Sequence, residues 1–519
     1  MITPSIEGVR LGLQSHLDQA KTALERNKLG QFATPTALAH DILERARHYM
    51  PEDVPIRFLD PAIGTGSFYS ALLQIFADRQ IITATGYEID PHYGDESLKL
   101  WSHTPLHLHI ADFTRAEPPL FDSKRANLLI CNPPYVRHHH IGSDEKQRLQ
   151  QLVTQRARVR LSGLSGLYCY FLCLSHTWTQ HGGLAVWLIP SEFMDVNYGH
   201  QVKEYLLSRV TLLHIHRFDP QDAQFDDALV SSVVVWVRND PPPPDHQVRF
   251  TYGGTLLTPR LESNIAIANL RAIPKWTRIS SLAHAPEQSD SGLLFSDIFT
   301  IKRGIATGAN KFFIVGPDTI ATYAIPSSFL IPILPSPRYI SSDEIKATMH
   351  GDPLIDKPRY LLSCRLPEAT IRERYAGLWS YLQEGVAAGI HTGYICAHRS
   401  PWYVQEVRPA APFLCPYMGR KERKHGEPFR FILNRSRATV PNVYLMLYPK
   451  PILAHALQDS PSLYADLLRV LNRTTPESLI AGGRVYGGGL HKLEPNELAG
   501  ARLTGLILHR EEGRVEVAR

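Results

Sequence analysis

At 519 residues the chain is too long for one hydrophobic core and long enough for two domains. Its 44% apolar and 20% charged content is that of an ordinary soluble globular protein, and no apolar run approaches the ~18 residues of a membrane span. The formal net charge of +5 is unevenly divided: residues 301–519 hold 28 Lys and Arg against 19 Asp and Glu, leaving 27 against 31 in the first 300, so the second half is the one suited to meet a polyanion.

Six cysteines form no CxxC pair; Cys169 and Cys173 stand one helical turn apart and read as buried apolar positions. The first residues lack the basic start, apolar stretch and small-residue cleavage site of a signal peptide, so a cytoplasmic location is expected.

Along the chain, residues 5–28 carry Leu13, Leu17, Ala20 and Leu24 at helical spacing and are predicted to form one helix, ended by Gly30-Gln31-Phe32-Ala33-Thr34-Pro35. Thr34 or Thr36 is placed to cap a second helix over 37–49. Strand and helix patterns then alternate. Strands are predicted at 57–60, 85–89, 106–111, 127–131, 184–189, 212–217 and 230–237, with helices at 67–79, 167–180 and 199–208. Such alternation specifies an α/β fold with a mostly parallel sheet covered on both faces. The short connection between the last two strands predicts an antiparallel hairpin at one edge. Four prolines between Asp240 and Asp245 can continue neither a central strand nor a helix. They divide the chain into domains 1–245 and 246–519, the second expected to be α+β because the regular βα rhythm stops there.

In an open α/β sheet, ligands bind beyond the carboxyl ends of the strands, and four successive strands here end in ligand-type residues. Asp60-Pro61-Ala62-Ile63-Gly64-Thr65-Gly66-Ser67-Phe68 joins the first strand to a helix, and its glycines allow a sharp turn with room for a ligand. Glu88, followed by Ile89, ends the second strand, where a carboxylate can hold both hydroxyls of a ribose. Asp112-Phe113 ends the third, offering a carboxylate for an adenine amino group and a ring to lie against the base. Asn132-Pro133-Pro134-Tyr135 ends the fourth. Its two prolines fix two φ angles and remove two donors. The amide, the rigid carbonyls and the aromatic ring together suit a planar substrate bearing an NH2 group. The glycine loop is neither GxxxxGK[ST] nor GxGxxG, which argues against a triphosphate or dinucleotide and for a nucleoside carrying a small transferable group.

These residues resemble the S-adenosylmethionine-dependent N6-adenine DNA methyltransferases of restriction-modification systems. The stretch from Asp60 to Phe68 resembles their cofactor loop, Glu88 their ribose-binding acid, and Asp112-Phe113 their adenine-binding pair. Asn132-Pro133-Pro134-Tyr135 is similar to their catalytic [DNS]PP[YFW] loop, and Gln31-Phe32-Ala33-Thr34-Pro35 to the segment closing over the methionine part of the cofactor. The segment order is that of the gamma group, and the resemblance is strong over residues 28–240 and looser beyond. It implies a Rossmann-like S-adenosylmethionine methyltransferase domain followed by a target-recognition domain for double-stranded DNA. It also implies catalysis at Asn132, Pro133, Pro134 and Tyr135. Cofactor contacts are implied at Thr34, Asp60, Ala62, Gly64, Gly66, Glu88, Ile89, Asp112, Phe113 and Asn132. Tyr135 and Tyr198 are the implied rings against a flipped base. No metal is expected, a nuclease acting on the same site is the expected partner, and no fused nuclease domain is evident in the chain.

Within the second half, Lys302 and Arg303 open a glycine-containing segment that resembles the start of the family's recognition domains. Residues 418–437 hold seven basic side chains, among them Arg420, Lys421, Arg423 and Lys424, interleaved with Phe429 and Phe431, as a phosphate-tracking surface would be. Tyr486-Gly487-Gly488-Gly489-Leu490-His491-Lys492-Leu493 also looks like a family segment close to DNA. His138, His139 and His140 follow the catalytic loop; adjacent side chains diverge, which disfavours a metal and leaves a phosphate contact open. Methyl transfer to RNA or to a protein glutamine is the alternative, since an NPPY loop also serves those targets.

Overall fold

The computed structural model describes residues 5–219, 231–279, 293–420, 429–474, 479, 484–486, 490–503, 505–509 and 514–517. The chain divides into two compact units, one through Gln288 and one from Ser289.

Among the described residues the first unit is built on nine strands: β1 (Ile56–Asp60), β2 (Ile81–Glu88), β3 (Leu106–Ile110), β4 (Ala126–Cys131), β5 (Thr179–Pro190), β6 (Thr211–Arg217), β7 (Ser232–Arg238), β8 (Gln247–Gly254) and β9 (Pro259–Ala266). They lie in the order β3-β2-β1-β4-β5-β7-β6-β8-β9. β3, β2, β1, β4 and β5 are parallel, while β7 runs against both its neighbours β5 and β6. Between β1 and β4 the strand order reverses across the sheet, which in an open α/β sheet is where ligands bind beyond the carboxyl ends of the strands.

β4 shows how its apolar run is used. Leu128 and Ile130 enter the core on one face and Leu129 and Cys131 the core on the other, the signature of a strand covered on both sides. Cys169 and Cys173 are fully buried in the helix Leu167–Leu174.

Three expectations are corrected by the structure. β6 and β7 pair antiparallel but do not end the sheet, because β8 and β9 continue it and are themselves the antiparallel edge hairpin. The proline run is therefore a loop within the first unit, and the chain divides at 288/289 rather than at 245. The N-terminal helix is two helices, α1 (Ile6–Gln19) and α2 (Ala23–Leu29), because Thr22 and Glu25 form a capping box that starts a new helix. Gly30, in left-handed conformation at φ 68°, ends α2. The following helix, α3 (Thr36–Tyr49), has Pro35 at its N-cap and no side-chain cap; Thr34 and Thr36 are used elsewhere.

The second unit is α+β, as expected. The strands Phe299–Arg303, Tyr444–Pro449, Phe413–Pro416, Ile432–Asn434 and Glu344–Ile345 form one sheet, antiparallel except for its last pair. The helix Leu463–Arg473 buries Leu467 and Leu471 in the same core as Phe413 and Leu447. Among the described residues no helix is long and apolar enough to cross a membrane.

Candidate active site

The glycine loop after β1 turns as its sequence predicts. Gly64 and Gly66 have φ of 56° and 88°, where an L side chain is strained. A Cβ on Gly66 would lie 2.7 Å from Trp101 Nε1, whereas one on Gly64 would meet open space. Trp101 Nε1 donates to Thr65 O at 3.0 Å, so an indole that no local motif marks out closes the back of the loop.

Glu88 ends β2 facing this turn. One carboxylate oxygen accepts from Gly64 N at 3.1 Å and the other from Asp90 N at 2.8 Å. Burial raises its pKa, and the backbone donors partly offset that. Each oxygen keeps acceptor capacity for a hydroxyl. Asp60 differs: it is 1% exposed, its Oδ1 accepts from Ala62 N at 3.1 Å, and burial pushes its pKa to about 8. Its carboxyl braces the loop from inside rather than facing a ligand.

Asp112 Oδ1 accepts from the Thr114 backbone and hydroxyl, both at 2.8 Å, and Arg115 lies 3.3 Å from Oδ2. Phe113 corrects the expectation of a free ring: it is 2% exposed and packs among Tyr87, Phe171 and Trp178 at 5.0–5.5 Å between centroids. The apolar side chain that stands exposed at this edge is Ile89. Ala62, within the loop, is partly buried against the core that holds Leu129 and Cys131.

The fourth strand end carries the clearest geometry. Asn132 Nδ2 donates to Phe32 O at 3.0 Å and meets Thr34 Oγ1 at 3.1 Å. A backbone carbonyl can only accept, so this contact fixes which end of the amide is nitrogen. Asn132 Oδ1 is then buried and has no hydrogen-bond partner. Segment and loop are locked together at a second point, where Tyr135 N donates to Gly30 O at 3.2 Å. A Cβ on Gly30 would run into the backbone of Pro134 and Tyr135. Tyr135 OH donates to Leu188 O at 3.1 Å, its ring lies 5.6 Å from that of Phe32, and the residue is 9% exposed. Tyr198, half-buried, donates its hydroxyl to Glu192 Oε2 at 3.1 Å and lies 3.4 Å from Tyr168 OH.

An unforeseen arginine ties these parts together. Arg10 on α1 is 1% exposed. Its guanidinium donates to Thr65 Oγ1 at 3.1 Å, Ser67 Oγ at 3.0 Å and Thr36 Oγ1 at 3.2 Å, and pairs with Glu7 at 2.6 Å. It thus joins the glycine loop to the first residue of α3. Burial acts to raise the Glu7 carboxyl, but hydrogen bonds from Arg10, Ser70 and Thr36 outweigh it and hold the pKa at about 2. Further along, Asp90 accepts from Lys21 and, at 2.8 Å, from Gln31, fastening the same segment to the end of β2.

In the second unit, Lys302 is exposed, while Arg303 lies 3.8 Å over the Tyr417 ring and donates to Asn442 O at 3.0 Å. The Arg420 backbone pairs with Leu490; Lys421, Arg423 and Lys424, and with them residues 487–489, lie outside the described residues. The rest of the basic run is structural: Arg430, Arg435 and Arg437 pair with Asp343, Glu344 and Asp352, and Phe429 and Phe431 are core side chains. Among the described residues no group of three or more His, Cys, Asp or Glu is placed to hold a metal.

Two family models match the chain. Residues 89–225 match the Eco57I restriction-modification methylase, and residues 278–517 match the C-terminal domain of the type II methyltransferase M.Eco57I. The type II methyltransferase M.XamI of Xanthomonas campestris pv. amaranthicola is 28% identical over 87% of this chain and 81% of its own length. M.AccI of Acinetobacter calcoaceticus is 26% identical over 91% of this chain and 85% of its own. Among solved structures, the type IIL restriction-modification enzyme MmeI in complex with DNA superposes with a TM-score of 0.56 at 12% identity, over 89% of this chain and 68% of MmeI. The DrdV–DNA complex gives 0.53 at 10% identity, over 91% of this chain and 56% of that one. At these identities the structural likeness is one of fold. The methylase family implies S-adenosylmethionine as cofactor, and a loop with open space at Gly64 beside a buried, oriented carboxylate fits it.

Proposed function

The chain is a DNA methyltransferase of the restriction-modification kind, and from that premise we propose that it methylates N6 of an adenine turned out of a specific duplex sequence. The observation that carries this reading is Asn132 Oδ1, a buried acceptor without a partner, held by an amide whose nitrogen is already committed to Phe32 O and Thr34. Leaving such an atom unpaired costs about 1–3 kcal/mol. It is a cost a protein recovers when a donor arrives, and an exocyclic NH2 brings two.

S-adenosylmethionine, when bound, supplies a methyl group on a sulfonium. Glu88 is oriented to take the ribose hydroxyls, Asp112 to take the cofactor's amino group, and Ile89 to cover its base. Exocyclic N6 is a poor nucleophile because its lone pair is delocalised into the ring. Asn132 Oδ1 accepting one N6 hydrogen and the Pro133 carbonyl the other would turn that lone pair out of the plane. As N6 takes the methyl group it gains positive charge, and the two fixed oxygens stabilise that charge without having to reorganise. N6 then gives up one proton to solvent water and is neutral again. A stacked base cannot reach this site, so Tyr135 and Tyr198 are the rings proposed to flank the extruded adenine. Lys302, Arg303 and the basic stretch around Arg420 are the proposed backbone contacts of the second unit, and a nuclease cutting the same site is the proposed partner in the cell.

The test is transfer from labelled S-adenosylmethionine to duplex DNA, RNA and protein mixtures, followed by nucleoside analysis. N6-methyl-2'-deoxyadenosine, from DNA alone, is expected. Label in RNA or protein but not DNA would refute the substrate, and label on cytosine would refute the assigned atom.

A further inference from the structure

We propose that Arg137, His138, His139, His140 and Lys146 form a phosphate clamp that grips the DNA backbone beside the flipped nucleotide. The inference rests on the function proposed above and adds to it a named surface next to the catalytic loop.

Position comes first. Val136 O accepts from Leu167 N at 2.9 Å and so pins the chain directly after Tyr135. Arg137 then caps the single turn His138–His140, and Ile141 leads into the helix Ser143–Ala157. Three residue steps lead from Tyr135 to His138, at most about 11 Å of chain, which keeps the turn within reach of the phosphates flanking a base held at Asn132.

The second observation is what these side chains do not do. Many basic groups of this unit hold carboxylates or carbonyls, among them Arg10, Lys21, Arg57, Arg115, Arg148 and Arg156, whereas Lys28, Lys124, Arg158 and Arg160 stand exposed, scattered over the surface. Among the described residues, the side chains of Arg137, the three histidines and Lys146 make no hydrogen bond or ion pair, and only their backbones are bonded. Arg137, His139 and His140 are exposed, and the rings touch one another, at 5.3 Å for His138–His139 and 4.2 Å for His139–His140. The 15-residue helix that follows begins at Gly142 with no side-chain cap, leaving first-turn N–H groups available to an anion. Of the acids in that first turn, Glu145 is turned to Arg115 and Arg148, while Asp144 is exposed.

Protonation gives the clamp a signature. His138 is pushed below its ordinary pKa by burial and by Lys146, against a smaller pull from Glu192. His139 is pushed down by burial and then by His140, His138, Arg137 and Lys146. A phosphate among these groups reverses the balance, so the complex binds more protons than the free protein and affinity rises as pH falls.

The test uses the full chain, a labelled duplex of arbitrary sequence, and fluorescence anisotropy across a salt series at about pH 8 and about pH 6. Wild-type binding is expected to tighten three- to tenfold at the lower pH. Its log K against log salt should steepen by about one further contact, since each phosphate neutralised contributes about −0.9 to that slope. H138Q/H139Q/H140Q is expected to bind with little pH dependence and an unchanged slope, at an unchanged melting temperature. A triple variant that follows the wild type at both pH values overturns the clamp. Methyl transfer to duplex adenine with pH-independent wild-type binding overturns the clamp alone, whereas no transfer to DNA overturns both the clamp and the function beneath it.

Discussion

Replacing Thr34 by Val removes one of the two anchors that orient the Asn132 amide and touches nothing proposed to contact the base. Thr34 is 7% exposed, and its Oγ1 meets Asn132 Nδ2 at 3.1 Å. Valine has nearly the same shape, so the segment stays packed while one amide hydrogen faces a methyl group instead of an oxygen. The remaining bond to Phe32 O, at 3.0 Å, keeps the nitrogen end identified but lets the plane rock. Leaving one buried donor unpaired costs about 1–2 kcal/mol. If that cost falls on the oriented, reactive arrangement, methyl transfer slows about five- to thirtyfold, because 1.36 kcal/mol is about tenfold in rate. Asn132→Ala, which deletes the acceptor itself, should cost about a hundred- to a thousandfold, the range seen when one preorganised transition-state contact is removed. Single-turnover transfer of labelled methyl measures the rate, and calorimetric titration of the cofactor measures binding separately; affinity should stay within about threefold for both variants. A Thr34→Val enzyme transferring within twofold of wild type would show that the amide is not held by this hydroxyl. Rate preserved with cofactor affinity lost would show that Thr34 serves the cofactor instead.

Gly30→Ala should lower the melting temperature by several degrees and depress single-turnover rate more than cofactor affinity, because φ 68° and the backbone of Tyr135 both exclude a Cβ. Arg10→Ala leaves the half-buried Glu7 with only the Thr36 and Ser70 hydroxyls as partners, a loss on the order of 1–3 kcal/mol; hydrogen exchange should quicken in α1 and at 64–67, and cofactor affinity should fall. Glu7 itself, at about 2 in the folded protein, contributes stability that is present above its ordinary pKa of 4.5 and is lost as pH falls from there toward 2. Glu7→Gln should therefore flatten acid unfolding in that window, as followed by circular dichroism. His214 and His216 share the Thr251 hydroxyl at 2.7 and 2.8 Å, and burial holds them neutral, at about 2 and about 3. The unfolded chain takes up their protons below about pH 6.5, so stability should decline as pH drops from 6.5, and a His214→Gln/His216→Gln double variant should show a shallower decline in urea titrations.

The strand ends were legible because each needs a particular chemistry at a particular place: glycines to turn, a carboxylate at the end of β2, an amide before two prolines. Three other features were not. Thr34 looked like a helix cap, and nothing local reveals that its oxygen meets a side chain 98 residues further on. Phe113 looked like a ring for a base, but the aromatic residues that bury it come from β2 and from 171 and 178. Arg10, on a helix of otherwise ordinary pattern, finds partners 26 to 57 residues away. By contrast, the break between α1 and α2 could have been read, since Thr22-Ala23-Leu24-Glu25 is a capping box in the sequence. The edge hairpin was hidden by the proline run, whose inability to join a strand says only that a loop is there, not that a domain ends.

The Arg10 cluster has a practical reach beyond its hydrogen bonds. A shortened protein designed around the recognisable motifs would begin near Gly30 and keep the glycine turn, Glu88, Asp112 and the whole catalytic loop. It would also discard the guanidinium joining Thr65 and Ser67 to Thr36 and the lysine joining Asp90 to the same segment. Such a fragment would carry every signature of the family and lack the brace that holds two of them in register.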